Sequence, residues 1–405
     1  MSHYFVYSEI LKKVLQLLYM PTDIQITFLG TASAQPSLTR NQSSLALRFD
    51  GTVWLFDAGE GTQHRLIQNR DPSNNIKLGK IRRIFITHLH GDHSFGLPGL
   101  LCTLSQNVTI QDGYQDASVD IYGPPGTRRY VRNSLLSTYC RLGVKYSVHE
   151  LVYPNSDLHL TDELHPEEIL GLNIPQSVDS ITSNLYWDVF RDEETSVIAA
   201  SIKHTVPCLG YVVTEANSPG KLRANEIIPI LKSHSKEFQE QGIRNPLALL
   251  SSFKNGNSIT LPNGQILNPA DYMDPERRGR KLVILGDTSD PSNIQPFCND
   301  ATVLIHEATN SFLKSDSLDT TEQQVHEQTI SHGHSTPQMA GQFAKAINAK
   351  QLLLNHFSAR YKGDQSPESV LVMDEIANLA KSAFGTDNVL TAYDYLTVTV
   401  PRVQL

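Results

Sequence analysis

Residues 87–100 read THLHGDHSFGLPGL, and His88, His90, Asp92 and His93 form an H-x-H-x-D-H cluster directly after the apolar run Ile84-Phe85-Ile86. Side chains two apart on an extended chain share a face, so His88 and His90 can meet one ion. A turn at Gly91 carries Asp92 and His93 round to a second position, where they offer a carboxylate oxygen and a ring nitrogen. Donors of this kind suit Zn2+, with Mn2+ or Fe2+ as alternatives. Packing alone does not account for histidines and an aspartate this close together at a strand end.

These donors cannot fill two metal positions, so others are expected at the ends of further apolar strands. His204 follows Val197 to Ile202, Asp287 follows Leu282 to Gly286, and His356 follows Leu352 to Asn355. A single histidine after a strand is ordinarily a hydrogen-bonded structural residue, but recurrence of the same placement favours ligation. The expected set is His88, His90 and His204 on one ion and Asp92, His93 and His356 on the other, with Asp287 bridging. Two divalent ions about 3.5–4 Å apart can clamp the attacking and leaving oxygens of a phosphodiester. The expectation is therefore a hydrolase.

The elements that must hold these residues alternate strand with helix. Helical patterns run from Gly126 to Cys140, Pro337 to Ile347 and Pro367 to Phe384 between the apolar runs, and the chain's 405 residues with 40% hydrophobic content are enough for a full α/β core. The four cysteines, Cys102, Cys140, Cys208 and Cys298, show no C-x-x-C spacing and read as reduced, buried thiols. No apolar run approaches the length of a membrane span.

The chain resembles the metallo-β-lactamase superfamily and, within it, the short-form tRNase Z family. The resemblance runs from about Ile24 to the C-terminus. It is carried by FLGTASAQP (Phe28 to Pro36), FDAGEGTQ (Phe56 to Gln63), the THLHGDH run, KHTVPCLGY (Lys203 to Tyr211), LGDTSD (Leu285 to Asp290), IHEAT (Ile305 to Thr309), HGHSTP (His332 to Pro337) and NHFSARY (Asn355 to Tyr361). The histidine cluster points to the superfamily, and the IHEAT and HGHSTP motifs narrow it.

The resemblance implies an αββα sandwich with its site between two sheets at one edge, two Zn2+, and cleavage of precursor tRNA after the discriminator nucleotide. The products would be a tRNA 3′-hydroxyl and a trailer 5′-phosphate. Asp92 would bind metal and accept a proton from the attacking water. His334 would protonate the departing 3′ oxygen or steady the phosphate, with Glu307 orienting it. Before the helix start at Ser335-Thr336-Pro337, His334 could also merely decorate a helix N-terminus. A homodimer is implied, as is an intracellular place in the cytosol, the nucleus or both, with the mitochondrion as an alternative.

The expected organisation is an N-terminal helical extension over 1–22 and a metallo-β-lactamase domain over 23–405. That domain carries a polar surface insertion at about 155–195 and a protruding tRNA-binding arm at about 215–281. A shorter polar stretch, Ser315 to Gln328, reads like the insertion. Residues 4–20 form one amphipathic face that reads as a packing helix, with a transit role or an artefact of start-site choice as the alternatives. In the arm, a helical stretch from Asn225 to Gln241 precedes an Asn263-Gly264 hairpin signal. The stretch Gly242 to Leu250 departs from the family's Gly-Pro-rich basic tip, and Leu38 stands where bacterial relatives have lysine. Nearby Arg40 is a candidate phosphate contact.

Net charge is −8, so any RNA partner must meet local positive charge. Three clusters stand out: Lys77-Lys80-Arg82-Arg83, Arg128-Arg129-Arg132 and Arg277-Arg278-Arg280-Lys281. Each reads either as a phosphate-binding surface or as a solvated face. Two other functions stand beside the nuclease: a metallohydrolase of small phosphodiesters or other esters, and a catalytically silent tRNA-binding subunit.

Overall fold

Side-chain alternation with a period of two decides the layering. On strand β4 (Ile81–Phe85), Ile84 faces one core and Phe85 another; on β15 (Lys281–Leu285), Leu282 and Ile284 join Phe85's core while Val283 and Leu285 face away. Strands buried on both faces require helices outside them, and that requirement generates four layers. The computed structural model describes residues 23–49, 51–69, 76–107, 118–154, 156, 163–218 and 220–402. The N-terminal extension expected over 1–22 lies outside them.

The first sheet combines an antiparallel meander with a parallel half. β1 (Ile24–Gly30), β2 (Ser44–Phe49) and β3 (Thr52–Phe56) form the meander, with β19 (Thr397–Val400) on the far side of β1. Next come β4, β5 (Ser118–Gly123) and β6 (Lys145–Val152), all parallel; β7 (Glu168–Ile169) and β8 (Asn173–Pro175) also pair with β6. The second sheet runs antiparallel through β9 (Ser177–Val178), β10 (Leu185–Arg191), β11 (Thr195–Ile202), β12 (Cys208–Glu215) and β15. It continues in parallel through β16 (Val303–Glu307), β17 (Leu352–Asn355) and β18 (Val389–Thr391).

Phe28, Leu47, Phe56 and Phe85 of one sheet meet Tyr211, Ile284, Ile305 and Leu353 of the other to form the intersheet core. Helices Leu97–Asn107 and Thr127–Ser137 cover the first sheet through Leu100, Leu104, Val131 and Leu135. Helices Pro337–Ala346 and Pro367–Phe384 cover the second through Ala340, Phe343, Ile376 and Ala380. The architecture is the αββα sandwich.

Two segments differ from expectation. The polar insertion at about 155–195 gives way to a core strand: β10 pairs Trp187 with Ala199 of β11 and buries Trp187 and Val189 between the sheets. Acidic neighbours mask its period-two pattern in the sequence. The stretch Ser315 to Gln328 contributes to a helix, Glu322–Ser331, rather than a plain excursion. Thr321 Oγ1 accepts from Gln324 N at 3.2 Å while the Gln324 side chain accepts from Thr321 N at 3.0 Å, a reciprocal cap that starts the helix.

Among the described residues, 216–279 together with Arg402 form a compact unit. Its core gathers Ile227, Leu231, Phe238, Phe253, Leu261 and Leu267. Two helices, Ala224–Ser233 and Ser235–Glu240, stand where one helical stretch is expected. A short hairpin of β13 (Ile259–Thr260) and β14 (Ile266–Leu267) turns at Gly264 with φ 87°. Within 242–250, Pro246 is buried and Ile243, Leu247, Leu249 and Leu250 pack on that core, which leaves Arg244 as this segment's exposed cation. Among the described residues, no helix is long and apolar enough to cross a membrane.

Candidate metal centre

Every expected donor sits at or just beyond the end of a strand. After β4, His88 follows Thr87, His90 caps the one-turn helix Gly91–Ser94, and that turn carries Asp92 and His93. His204 follows β11, Asp287 follows β15 and His356 follows β17. Four donors thus come from the first sheet and three from the second. Gly286 permits the meeting of the two strand ends, because a Cβ there would lie 2.6 Å from Thr87 Cβ and 2.7 Å from Cys208 Sγ. His356 has φ 56°, a left-handed conformation uncommon outside glycine and found at constrained sites.

The donors converge in two groups. His88 Nε2 lies 3.1 Å from His90 Nδ1, which lies 3.2 Å from His204 Nε2. His93 Nε2 lies 3.0 Å from His356 Nε2, and Asp92 Oδ2 lies 3.3 Å from the same His356 nitrogen. Asp287 stands between the groups, with Oδ2 3.8 Å from His88 Nε2 and Oδ1 3.4 Å from His93 Nε2. The placement suits a bridging carboxylate.

Behind these donors lies an outer ring of hydrogen-bonding groups. His93 Nδ1 is 2.7 Å from Asp57 Oδ2, His204 Nδ1 is 2.8 Å from the Gly333 carbonyl, and Ala34 N–H donates to Asp92 Oδ2 at 2.7 Å. Asp57 is itself held by Thr87, whose N–H and hydroxyl both donate to it. Such partners orient ligating imidazoles. Asp57 and Thr309, another outer-ring residue, belong to motifs legible in the sequence but are not foreseen there as functional.

Electrostatics follow from this crowding. Burial and the neighbouring His93 push His88 well below the usual imidazole value, so it is neutral and ready to ligate. Burial would also lower His93, but Asp287 and Asp57 outweigh it and raise His93 well above that value. Burial works to raise Asp287, yet His356 and His93 hold it well below the usual carboxylate range. Asp92 is likewise held low by His356 and His93 against the effect of burial.

Nitrogen and oxygen donors closely gathered, with the outer ring orienting the rings, form a set that fits zinc. The structure therefore carries a His/Asp metal-binding cluster.

Beside it, Glu307 ends β16 and is buried, while His334 lies at the rim with part of its side chain exposed. Its Oε1 lies 3.1 Å from His334 Nδ1 and accepts from Thr288 N–H at 2.7 Å. Burial alone would lower the His334 imidazole, but Glu307, with help from Asp287 and Asp92, raises it to about 9. His334 precedes Thr336, whose hydroxyl caps helix Pro337–Ala346 by accepting from Met339 N–H.

Several expected phosphate contacts are committed elsewhere. Arg40 is buried and donates to the Tyr361 and Ala392 carbonyls and to Thr31, so it is a structural cation. Arg132 pairs with Glu168 at 2.8 Å and Arg280 with Glu215 at 2.7 Å, both in buried ion pairs, while Arg128 is buried beside Glu150. Arg83 lies 3.8 Å above the Phe190 ring. Of the cysteines, Cys208 and Cys298 are buried as expected, whereas Cys102 and Cys140 are only half-buried, with their sulfurs 3.6 Å apart.

Known proteins resemble this chain along most of its length. A family model described as anti-Pycsar protein Apyc1 matches residues 24–131. Zinc phosphodiesterase ELAC protein 1 of Homo sapiens is 38% identical over 399 residues, spanning 93% of this chain and 99% of its own. Ribonuclease Z of Bacillus subtilis (strain 168) is 35% identical over 383 residues, spanning 94% and 100%. Among solved structures, human tRNase Z, short form, aligns with TM-score 0.57 at 31% identity, covering 93% of this chain and 99% of its own. A long-form RNase Z from yeast shares the fold with TM-score 0.52 at 19% identity, over 93% of this chain and 42% of its own.

Proposed function

Because the chain belongs to the ribonuclease Z family of the metallo-β-lactamase fold, we propose that it is a two-zinc endoribonuclease that removes the 3′ trailer from precursor tRNA. It hydrolyses the phosphodiester after the discriminator nucleotide and leaves a tRNA 3′-hydroxyl and a trailer 5′-phosphate. The carrying observation is the convergence of seven donors beside a Glu307–His334 pair in a chain alike to ribonuclease Z over nearly its whole length.

In this reading His88, His90 and His204 would hold one zinc and Asp92, His93 and His356 the other, with Asp287 placed between the two groups to serve both. Zinc bound there supplies Lewis acidity toward the scissile phosphate and the attacking water. Asp92, kept in place by the Ala34 N–H, takes a proton from that water. Glu307 turns His334 so that Nδ1 faces the carboxylate and Nε2 is left for substrate. In the metal-free chain Glu307 raises His334 to about 9 against the lowering effect of burial, and the protonated ring would give its proton from Nε2 to the departing 3′ oxygen as the phosphorus–oxygen bond breaks.

The partners are precursor tRNA and a second copy of the chain, with the 216–279 unit as the arm that grips tRNA. The setting is wherever precursor tRNA is processed: cytosol, nucleus or mitochondrion.

The test is incubation of the purified protein with a 3′-extended precursor tRNA, with and without chelator, followed by mapping of product ends. Chelator-sensitive cleavage just after the discriminator with a 3′-hydroxyl is the expected result. Failure to cleave by protein carrying two metals would move the assignment to a different diester.

A further inference from the structure

The Thr309 hydroxyl lies where a donor histidine, the rim histidine and the Glu307 carboxylate meet. Its Oγ1 is buried, 3.1 Å from His356 Nδ1 and 3.4 Å from His334 Nδ1; it also contacts Glu307 Oε2 and lies 2.9 Å from the His356 carbonyl oxygen. A hydroxyl has one proton to give and two lone pairs with which to accept. The identity of the donor at each contact therefore decides what the group does.

His356 settles that choice. Its Nε2 faces His93 Nε2 and Asp92 Oδ2, so Nε2 is the nitrogen that must keep a free lone pair for an ion. In a neutral imidazole the proton then resides on Nδ1, which donates to Thr309 Oγ1. The Thr309 proton goes on to the Glu307 carboxylate, a charged acceptor and the stronger partner than a carbonyl. Asp287 Oδ1 is also within reach of His356 Nδ1, at 3.4 Å, but is already committed to the donor groups.

We infer that Thr309 is a positioning residue that holds His356 in its Nε2-ligating tautomer and ties that ligand to the carboxylate that orients His334. The inference rests on the two-zinc reading above. One buried carboxylate thereby orders both a ligand and the rim imidazole, through Thr309 in one direction and directly in the other. Outer partners of this kind typically change metal affinity about 10–100-fold when removed.

The test compares Thr309→Val, Thr309→Ala and Thr309→Ser with wild type in the full chain. Zinc is titrated against a competing chelator, and the Nδ1–H proton of His356 is followed by NMR of the zinc-loaded protein. The expected result is that Val and Ala weaken one of two zinc equivalents about 10–100-fold and lose the slowly exchanging Nδ1–H signal, while Ser restores both. Should Val fail to fold, Ala carries the comparison. Wild-type uptake of two equivalents with hydroxyl-free variants that match it in affinity and signal overturns this inference alone, as does failure of Ser to restore. A wild-type chain that takes up no zinc overturns both this inference and the two-zinc reading.

Discussion

Glu307 Oε1 lies 3.1 Å from His334 Nδ1, so a buried carboxylate faces a partly exposed imidazole. The pair raises His334 from 6.5 to about 9 against the lowering effect of burial. A folded value above the unfolded one adds stability that is fully present below about pH 6.5 and lost as pH rises through about 9. Metal-free wild type should therefore lose more stability across this window than Glu307→Gln. Urea midpoints on either side of the window measure the difference, and equal losses in the two proteins would contradict it.

Replacing His334 with Ala should slow tRNA cleavage by about 10²–10⁴-fold, the usual contribution of a positioned acid. Zinc content, measured by atomic absorption, should stay at the wild-type level. A variant that loses zinc would identify His334 as a ligand.

Zinc uptake should release a proton, because His93 is raised well above the usual value by Asp287 and Asp57 despite its burial. Affinity should accordingly fall as pH drops. Calorimetry in two buffers of different ionisation enthalpy reads the proton directly. Asp57→Asn keeps a residue that tolerates the φ of 61° at this position, and it should release less proton and bind zinc about 10–100-fold more weakly. Identical heats in both buffers for wild type would refute the protonated His93.

Lys232, Lys236 and Arg244 are exposed cations of the 216–279 unit. Changing each to Ala should weaken tRNA binding and flatten its salt dependence, by about 0.7–0.9 in log–log slope for every phosphate that is no longer neutralised. Turnover of a small chromogenic phosphodiester should not change. An unaltered salt slope would remove these residues from the tRNA path.

Arg280→Met leaves Glu215 buried without its guanidinium partner. Breaking a buried pair in this way costs about 3–5 kcal/mol. Chemical denaturation checks the loss, and a change under about 1 kcal/mol would mean the site admits water.

Much of the centre was legible because ligation leaves a local signature. His88, His90, Asp92 and His93 lie within one turn of a strand end, and His204, Asp287 and His356 each close an apolar run. Asp57 and Thr309 left no comparable signal, since they act at one remove and their partners are distant in sequence. The arginine clusters misled for a related reason. Arg128 and Arg132, four apart, share a helical face turned toward Glu150 and Glu168, so charges that look like a surface patch are buried ones. Proximity along the chain carries the sign of a charge but not its partner. The strand at Leu185–Arg191 was hidden because exposed acidic residues dilute an alternation that only Trp187 and Val189 carry inward.

The donors of each group come from both sheets: His88 and His90 with His204, and Asp92 and His93 with His356. An ion in either position would therefore act as a clasp between two halves of the chain, added to their apolar core and to the hydrogen bonds that already join them. Binding only to the closed sandwich, it would add stability as the logarithm of free metal over its dissociation constant, about 2.7 kcal/mol at a hundredfold excess. Chelation would then loosen the strand ends that carry the donors, and metal supply would set the lifetime of the folded protein as well as its turnover.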